Sequence, residues 1–398
     1  MVLAALALSG CAGRNWLMGG SLVAPPREVA RALGEPTSGL DAFDVRSVPQ
    51  VPAPESTRPC CAFGMDLGIA VAGKVVPGYT VPNIKSARDL GAHEYDKGAL
   101  ALDTDLSRFA TSENNGLVYT CRGGFFDSAH VRDYADLTLF LTLRFVLGLE
   151  HGLKLDVPGD GAVRHLELAA VPAEVLEREG RWALATALAQ WVAYQFSQWH
   201  EVVTWYGLES FKGFSERASA FSPEDLYSNA IGIRLAGGIL TTGGVRSRKD
   251  WDTQLDAWMR EALVRLKDVP ETLGRRAMAS LDGRWWDSKR TLPDVLLVKR
   301  RGFPAETLTP WRLEDTGVPI DPLLARRCEG ATALTLAAPV APASAHVSLR
   351  FEVGAWAPPE FPLIDAAHRD VVVEQLPELV EQVHREMRET FGPEFDRP

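Results

Sequence analysis

The stretch DSAHVRDYADLTLFLTLRFVLGL, residues 127–149, decides the fold. It opens on Asp127 and Ser128, side chains suited to capping a helix, and then runs apolar turn after turn. Its most apolar part, Leu137 to Leu149, is too short to span hydrocarbon and contains Arg144, so it belongs inside a folded body. A helix this apolar needs cover on most sides, and the neighbouring sequence supplies it. Residues 174–206 carry Leu184, Leu188, Trp191, Val192, Trp199 and Tyr206 at helical spacing, with Tyr194, Phe196 and Trp205 opposite and Gly207 as a stop. They read as one long helix buried nearly all round. Ser222-Pro223-Glu224-Asp225 combines a cap, a first-turn proline and acids at the positive end of the helix dipole, and so opens a third helix. A fourth, amphipathic, covers Trp251 to Lys267.

Outside this helical centre, about 127–290, the periodicity changes. Residues 60–122 alternate short apolar runs with Gly and Pro breaks and end in a strand at Leu117–Cys121. Short apolar runs return over 291–355, followed by a Pro-rich loop and a charged helix at about Gln375–Thr390. The expected class is α+β: a mainly helical core with small strand-rich segments before and after it, in one body over 59–398. Ahead of it, residues 12–58 are rich in Pro, Gly, Ala and Ser and read as a tether with a short helix around Arg27–Leu33.

The first 11 residues have their own character. Met1 to Leu8 is an apolar run ending in Leu8-Ser9-Gly10-Cys11, which resembles a lipobox. That resemblance implies a signal peptide removed before Cys11 and a lipid on its thiol; the departure from the pattern is the lack of a Lys or Arg ahead of the run. Ala12, in place of Asp after the cysteine, points to the periplasmic face of the outer membrane. The charge pattern fits attachment by lipid. A net charge of -10 argues against the clustered Lys and Arg that phosphate binding needs, so nucleic acid is not expected as a partner. It equally argues against attachment to anionic lipid by charge alone. Export would put Cys60, Cys61, Cys121 and Cys328 in an oxidising compartment, where disulfides persist. Adjacent Cys60 and Cys61 are poorly placed to pair together, and a bond from one of them to Cys121 is the expected one.

Three stretches concentrate chemistry. The first, Tyr119 to Asp133, feeds a Gly-Gly turn into a helix whose first turns carry Asp127, His130 and Asp133 at i, i+3 spacing. The second is Trp199-His200-Glu201, half of a zinc-peptidase motif with Thr204 where the second histidine would stand. The third places Asp225 and Asn229 at i, i+4, with Gly232 beyond. Singly, each has a bland reading: Asp127 as an N-cap, Asp225 as a first-turn acid, Gly232 and Gly237 as close-packing positions. Together they place ionisable groups on three apolar helices, which is costly unless the groups meet one another or an ion. His130, His200, Glu201 and Asp225 make a two-histidine, two-carboxylate set for a divalent metal, zinc or similar. Without a metal, Glu201, His130 and Asp225 could work as general acid and base, supported by Asp127, Asp133 and Asn229. Thiol chemistry at Cys121 with His130 fits poorly with export and disulfide use.

Several of these strings carry a resemblance. Residues 58–64, 119–130, 199–201 and 221–229 resemble a bacterial lipoprotein family known as a domain of unknown function, a likeness extending from 59 to about 300. More loosely, Asp127 and His130, Glu201, Ser222, Asp225, Asn229 and Gly232 are similar in order to the polar residues of VanZ-like envelope proteins. Those are integral membrane proteins, and their Asp-to-His gap is one residue longer; the likeness implies a shared polar site and no particular reaction.

Two functional readings follow. One is a metal-dependent hydrolase or transferase acting on lipid, cell-wall or peptide material in the envelope. The other is a non-catalytic envelope lipoprotein that binds or scaffolds a protein partner, its polar cluster serving as internal glue. Both require the anchor. Replacing Cys11 with Ala should therefore move the protein from the membrane to the soluble fraction on cell fractionation, and an equally membrane-bound variant would remove the lipid anchor from either reading.

Overall fold

In the computed structural model Asp127 ends one element and begins the next. It closes the strand β4 (Gly124–Asp127) and caps the helix α2 (Ser128–Gly148), its carboxylate accepting the Ala129 N–H at 2.7 Å. The structure describes residues 24–35, 50–54, 58, 63–71, 74–97, 113–208, 217, 219–242, 245–289, 301–343, 346–365 and 367–392. Of the 21 residues of α2, 18 are buried, so the helix is the axis of the body and not one of its faces.

Two helices cover it. α4 (Arg181–Trp205) and α5 (Asp225–Thr242) both pack on α2 and on each other. The approach of α5 is close because Gly232 has no side chain: a Cβ there would lie 2.1 Å from the Val131 carbonyl oxygen. α6 (Arg248–Leu266) turns Trp251, Leu255, Trp258 and Leu263 inward, and α1 (Pro26–Ala32) lies against α5 and α6 with Val29 fully buried. Part of the stretch read as a tether is thus folded into the body.

The other side of α4 meets an antiparallel sheet of β5 (Leu153–Gly159), β6 (Ala162–Leu168), β9 (Val347–Val353) and β10 (Asp370–Val372), in the order β10-β9-β6-β5. Leu166, Leu349, Phe351 and Val353 line its inner face, and Trp199 stacks on Phe351 with ring centroids 4.5 Å apart. α9 (Leu376–Phe391) buries Leu376, Leu379, Val383 and Met387 at helical spacing and is clasped to α4 where Trp205 and Tyr206 both donate to Glu386.

A second apolar cluster gathers behind the hairpin of β3 (Leu117–Thr120) and β4. It joins Tyr119 and Phe125 to Trp285 and Trp286, with α7 (Glu271–Ser280) and α8 (Pro322–Cys328) around it. Smaller antiparallel pairs are β1 (Leu67–Val71) with β2 (Lys74–Val81) and β7 (Thr307–Leu308) with β8 (Leu336–Ala337). Among the described residues no helix is long and apolar enough to cross a membrane.

The class is α+β, as the periodicity indicates, with three corrections. Residues 174–206 form two helices, α3 (Ala173–Glu179) and α4, because the chain turns at Gly180 with φ 79°. The expected helical centre contains the β5–β6 hairpin, whose side chains alternate in burial along β6, the mark of a strand with one covered face. Cys121 bonds to Cys328 and not to Cys60 or Cys61; those two, like Cys11, lie outside the described residues. Sequence alone cannot bring together two cysteines separated by 207 positions.

Because Cys121–Cys328 ties the turn after β3 to the end of α8, replacing both cysteines with Ala should lower stability by roughly 2–5 kcal/mol in urea melts. Non-reducing peptide maps should contain the cross-linked pair. Both residues alkylated without prior reduction would refute the bond.

Candidate functional site

The site is assembled where α5 begins. The Ser222 N–H donates to Asp225 Oδ2 at 3.2 Å and the Ser222 hydroxyl to Glu224 Oε2 at 2.8 Å, so both acids are drawn back over the helix start. The Asp127 N–H donates to Ser228 Oγ at 3.0 Å, fixing the head of α2 against the first turn of α5. With Gly232 allowing contact one face further on, Asp225 meets α2: its Oδ1 lies 3.0 Å from His130 Nδ1, and both side chains are buried. Asp127, His130 and Asp225 each turn one donor atom to a common point, all within 4.8 Å of one another.

Around these three, buried polar atoms of Glu201, Glu224 and Asn229 have no hydrogen bond among the described residues. Glu201 projects from α4 and is 1% exposed. Its Oε2 accepts the N–H of Phe221, a residue in the left-handed region at φ 55°, while Oε1 is buried with no hydrogen bond among the described residues. Burial, and then the Asp225 carboxylate, push the Glu201 carboxyl up to about 7 against the pull of His200 and His130. Glu224 is in a similar condition: Oε1 lacks a hydrogen bond among the described residues, and burial next to Asp225 raises its carboxyl well above the usual range. Asn229 is fully buried with neither amide atom hydrogen-bonded among the described residues. It sits between Asp225 and Gly232 on the face of α5 that touches α2. Arg301, also buried, is drawn to Asp225, Glu201 and Glu224, yet burial dominates and lowers its guanidinium to about 10. Glu224 further lines a narrow crevice with Phe63, Phe125, Tyr227 and Trp311.

The remaining expected residues go elsewhere. His200 is next to Glu201 on α4, and adjacent helical positions diverge by about 100°. Its Nδ1 lies 3.1 Å from Asp160 Oδ1, and its ring meets that of His130 edge-on with centroids 6.3 Å apart. Asp133 is one turn past His130 and accepts from the backbone and guanidinium of Arg58 at 3.0 and 2.7 Å. It belongs to a second buried cluster. There Arg58 also donates to Glu113 and Asp136, His93 lies 3.0 Å from each of those carboxylates, and the Trp251 indole donates to Asp136 at 2.7 Å. This cluster joins segments far apart in the chain, and its carboxylates are met by several donors each. Such saturation suits structural work.

Sequence reasoning missed Glu224 as a site group, Arg301 and Asp160. The first two carry no local pattern. Asp160 does: Asp160-Gly161 between the alternating runs LKLDVP and AVRHLEL is a hairpin signal.

The raised Glu201 carboxyl has a consequence for stability. The folded state holds a proton that the unfolded chain releases near 4.5, so stability falls as pH rises from about 5 through 7. Glu201→Gln keeps an oxygen for the Phe221 N–H and cannot ionise. In chelator-treated protein it should match wild type in melting temperature at pH 5 and exceed it at pH 8. Equal melting temperatures at both values would show that Glu201 is ionised without strain.

No curated protein and no solved structure matches the chain. One family does: the family described as "Protein of unknown function (DUF4056)" matches residues 48–312, a span that contains Asp127, His130, Glu201, Glu224, Asp225, Asn229 and Arg301. On that match the chain belongs to the DUF4056 family, whose function is not known.

Proposed function

We propose that this chain is a divalent-metal-dependent hydrolase or transferase of the cell envelope, held to the membrane by a lipid on Cys11. The observation that carries the reading is the convergence of Asp127, His130 and Asp225 within 4.8 Å in a buried setting. Their donor set, one imidazole and two carboxylates, suits zinc or a neighbouring divalent ion. Such an ion would polarise a carbonyl or phosphoryl group and acidify a water beside it. It would also offset the burial and the carboxylate repulsion that raise the Glu201 and Glu224 carboxyls. Glu201, whose Oε1 has no hydrogen bond among the described residues, would serve as the base. Asn229 can hold a substrate oxygen or a carboxylate in register through amide atoms that have no other hydrogen bond among the described residues. The acidic surface and the anchor favour lipid, cell-wall or peptide substrates over nucleic acid.

The second reading, a non-catalytic binding or scaffold lipoprotein, is favoured by the depth of the cluster, since His130 is 5% exposed and Asp225 1%. Metal analysis separates the two. The purified soluble body should carry about one equivalent of a divalent transition metal, and His130→Ala or Asp225→Asn should each lose it while staying folded by circular dichroism. A metal-free wild type that takes up no zinc, cobalt or manganese in titration would leave the scaffold reading in possession.

A further inference from the structure

Two consecutive acids at the head of α5 have different surroundings. Asp225 meets His130 and Asp127 in the candidate centre. Glu224 lines the narrow crevice, together with Pro223 and Tyr227 of the same helix start and with Phe63, Phe125 and Trp311. The aromatic walls are held by one another and by close backbone packing. Phe63 meets Phe125 edge-on with ring centroids 5.3 Å apart, and Trp311 meets Trp285 in the same way at 5.9 Å. A Cβ on Gly124 would lie 2.2 Å from the Trp311 carbonyl oxygen, so the β3–β4 turn closes directly on the Trp311 backbone.

The polar character of this lining is one-sided. Among the described residues that line the crevice, Glu224 is the only charged one. Tyr227 donates its hydroxyl to the Leu334 carbonyl at 2.6 Å, and Gly123 donates its N–H to Thr120 Oγ1 at 3.0 Å. Pro223 and Pro310 have no N–H to give. Glu224 is 2% exposed; its Oε2 accepts the Ser222 hydroxyl, and its Oε1 has no hydrogen bond among the described residues. The complement of such a lining is a group that donates and does not accept. A sugar hydroxyl or an amide brings an acceptor that these residues do not answer. A primary ammonium donates only, is attracted to aromatic faces, and has a methylene stem that packs against them. It also brings the counter-charge without which a buried carboxylate is costly.

We propose that the crevice is a substrate subsite for a primary ammonium on an alkyl stem, a lysine-like side chain of peptide material, with Glu224 as the specificity-determining residue; this rests on the metal-dependent reading and narrows its substrate class to peptides. Because Glu224 and Asp225 are neighbours in the chain, a side chain seated on Glu224 ties the peptide that carries it to the head of α5, where Asp127, His130 and Asp225 converge. An aminoethyl phosphate headgroup suits the crevice less well, since it would bring an anion close behind its nitrogen into a lining of rings and a carboxylate.

The probes are Nα-acetyl-lysine methylamide, the norleucine analogue that lacks the amine, and phosphoethanolamine, each added to the full chain and followed by saturation-transfer NMR. The lysine probe should bind wild type with the strongest transfer to its ε-methylene, and the norleucine probe should bind roughly tenfold more weakly or worse. Phosphoethanolamine should not displace either. Glu224→Gln keeps an acceptor for the Ser222 hydroxyl and should lose the preference for lysine while holding metal at the wild-type level. Trp311→Ala leaves every acid in place and should weaken both amino-acid probes alike, which decides the matter even where the Gln variant does not fold. Equal binding of lysine and norleucine by wild type, a lysine preference kept in Glu224→Gln, or undiminished binding in Trp311→Ala would each overturn the proposal. Displacement of the lysine probe by phosphoethanolamine would overturn it in favour of a lipid headgroup. A wild type that prefers the lysine probe yet takes up no divalent metal would instead overturn the metal-dependent reading and leave the crevice as an ammonium site.

Discussion

The contact between α2 and α5 is the constraint on which the site depends. With no side chain at Gly232, the backbone of α5 lies against the Val131 carbonyl, and everything one or two turns earlier follows. Asp225 is brought to 3.0 Å from His130, Ser228 reaches the backbone of Asp127, and Asn229 is shut into the interface. A wider spacing would let water between these groups and relax the carboxylates toward ordinary behaviour. Close packing here creates the electrostatic tension, because protein interiors yield little once packed.

The molecule contains two buried polar clusters on the same helix, and the difference between them is informative. Around Arg58 the carboxylates of Glu113, Asp133 and Asp136 meet a guanidinium, an imidazole and an indole, and the charges are answered within the cluster. Around Asp225, several atoms of Glu201, Glu224 and Asn229 have no hydrogen bond among the described residues. The Arg58 network, a turn away on α2, is thus the more fully bonded of the two among the described residues. Buried polar atoms without hydrogen-bond partners are costly in stability and gather at sites shaped for a ligand.

Much of the helical core was legible in the sequence because its signals are local. Asp127 as a cap, the Ser222-Pro223-Glu224-Asp225 helix start and the spacing of Leu376, Leu379, Val383 and Met387 are readable within a few residues. Burial of charge argued for His130, Asp225 and Glu201 as neighbours before any coordinates. What escaped was set by distance in the chain. Arg301 comes to Asp225 from 76 positions away, and β6 pairs with β9 across a separation of some 180 residues, so neither leaves a mark in its own neighbourhood. His200 was assigned on half of a zinc-peptidase motif, and its direction is decided by a hairpin tip that sequence periodicity assigned to a helical region.

The bond between Cys121 and Cys328 encloses α2, α4, α5 and the hairpin that carries Asp160 in a single covalent ring. Every residue of the candidate centre is a link of that ring. A protease that cuts one exposed loop between those cysteines therefore opens the ring without releasing a fragment. The severed segments stay joined through sulfur and remain at high local concentration, so the cut ends can re-dock. Reduction alone leaves the peptide chain whole in the same way. Only the two injuries together divide the molecule.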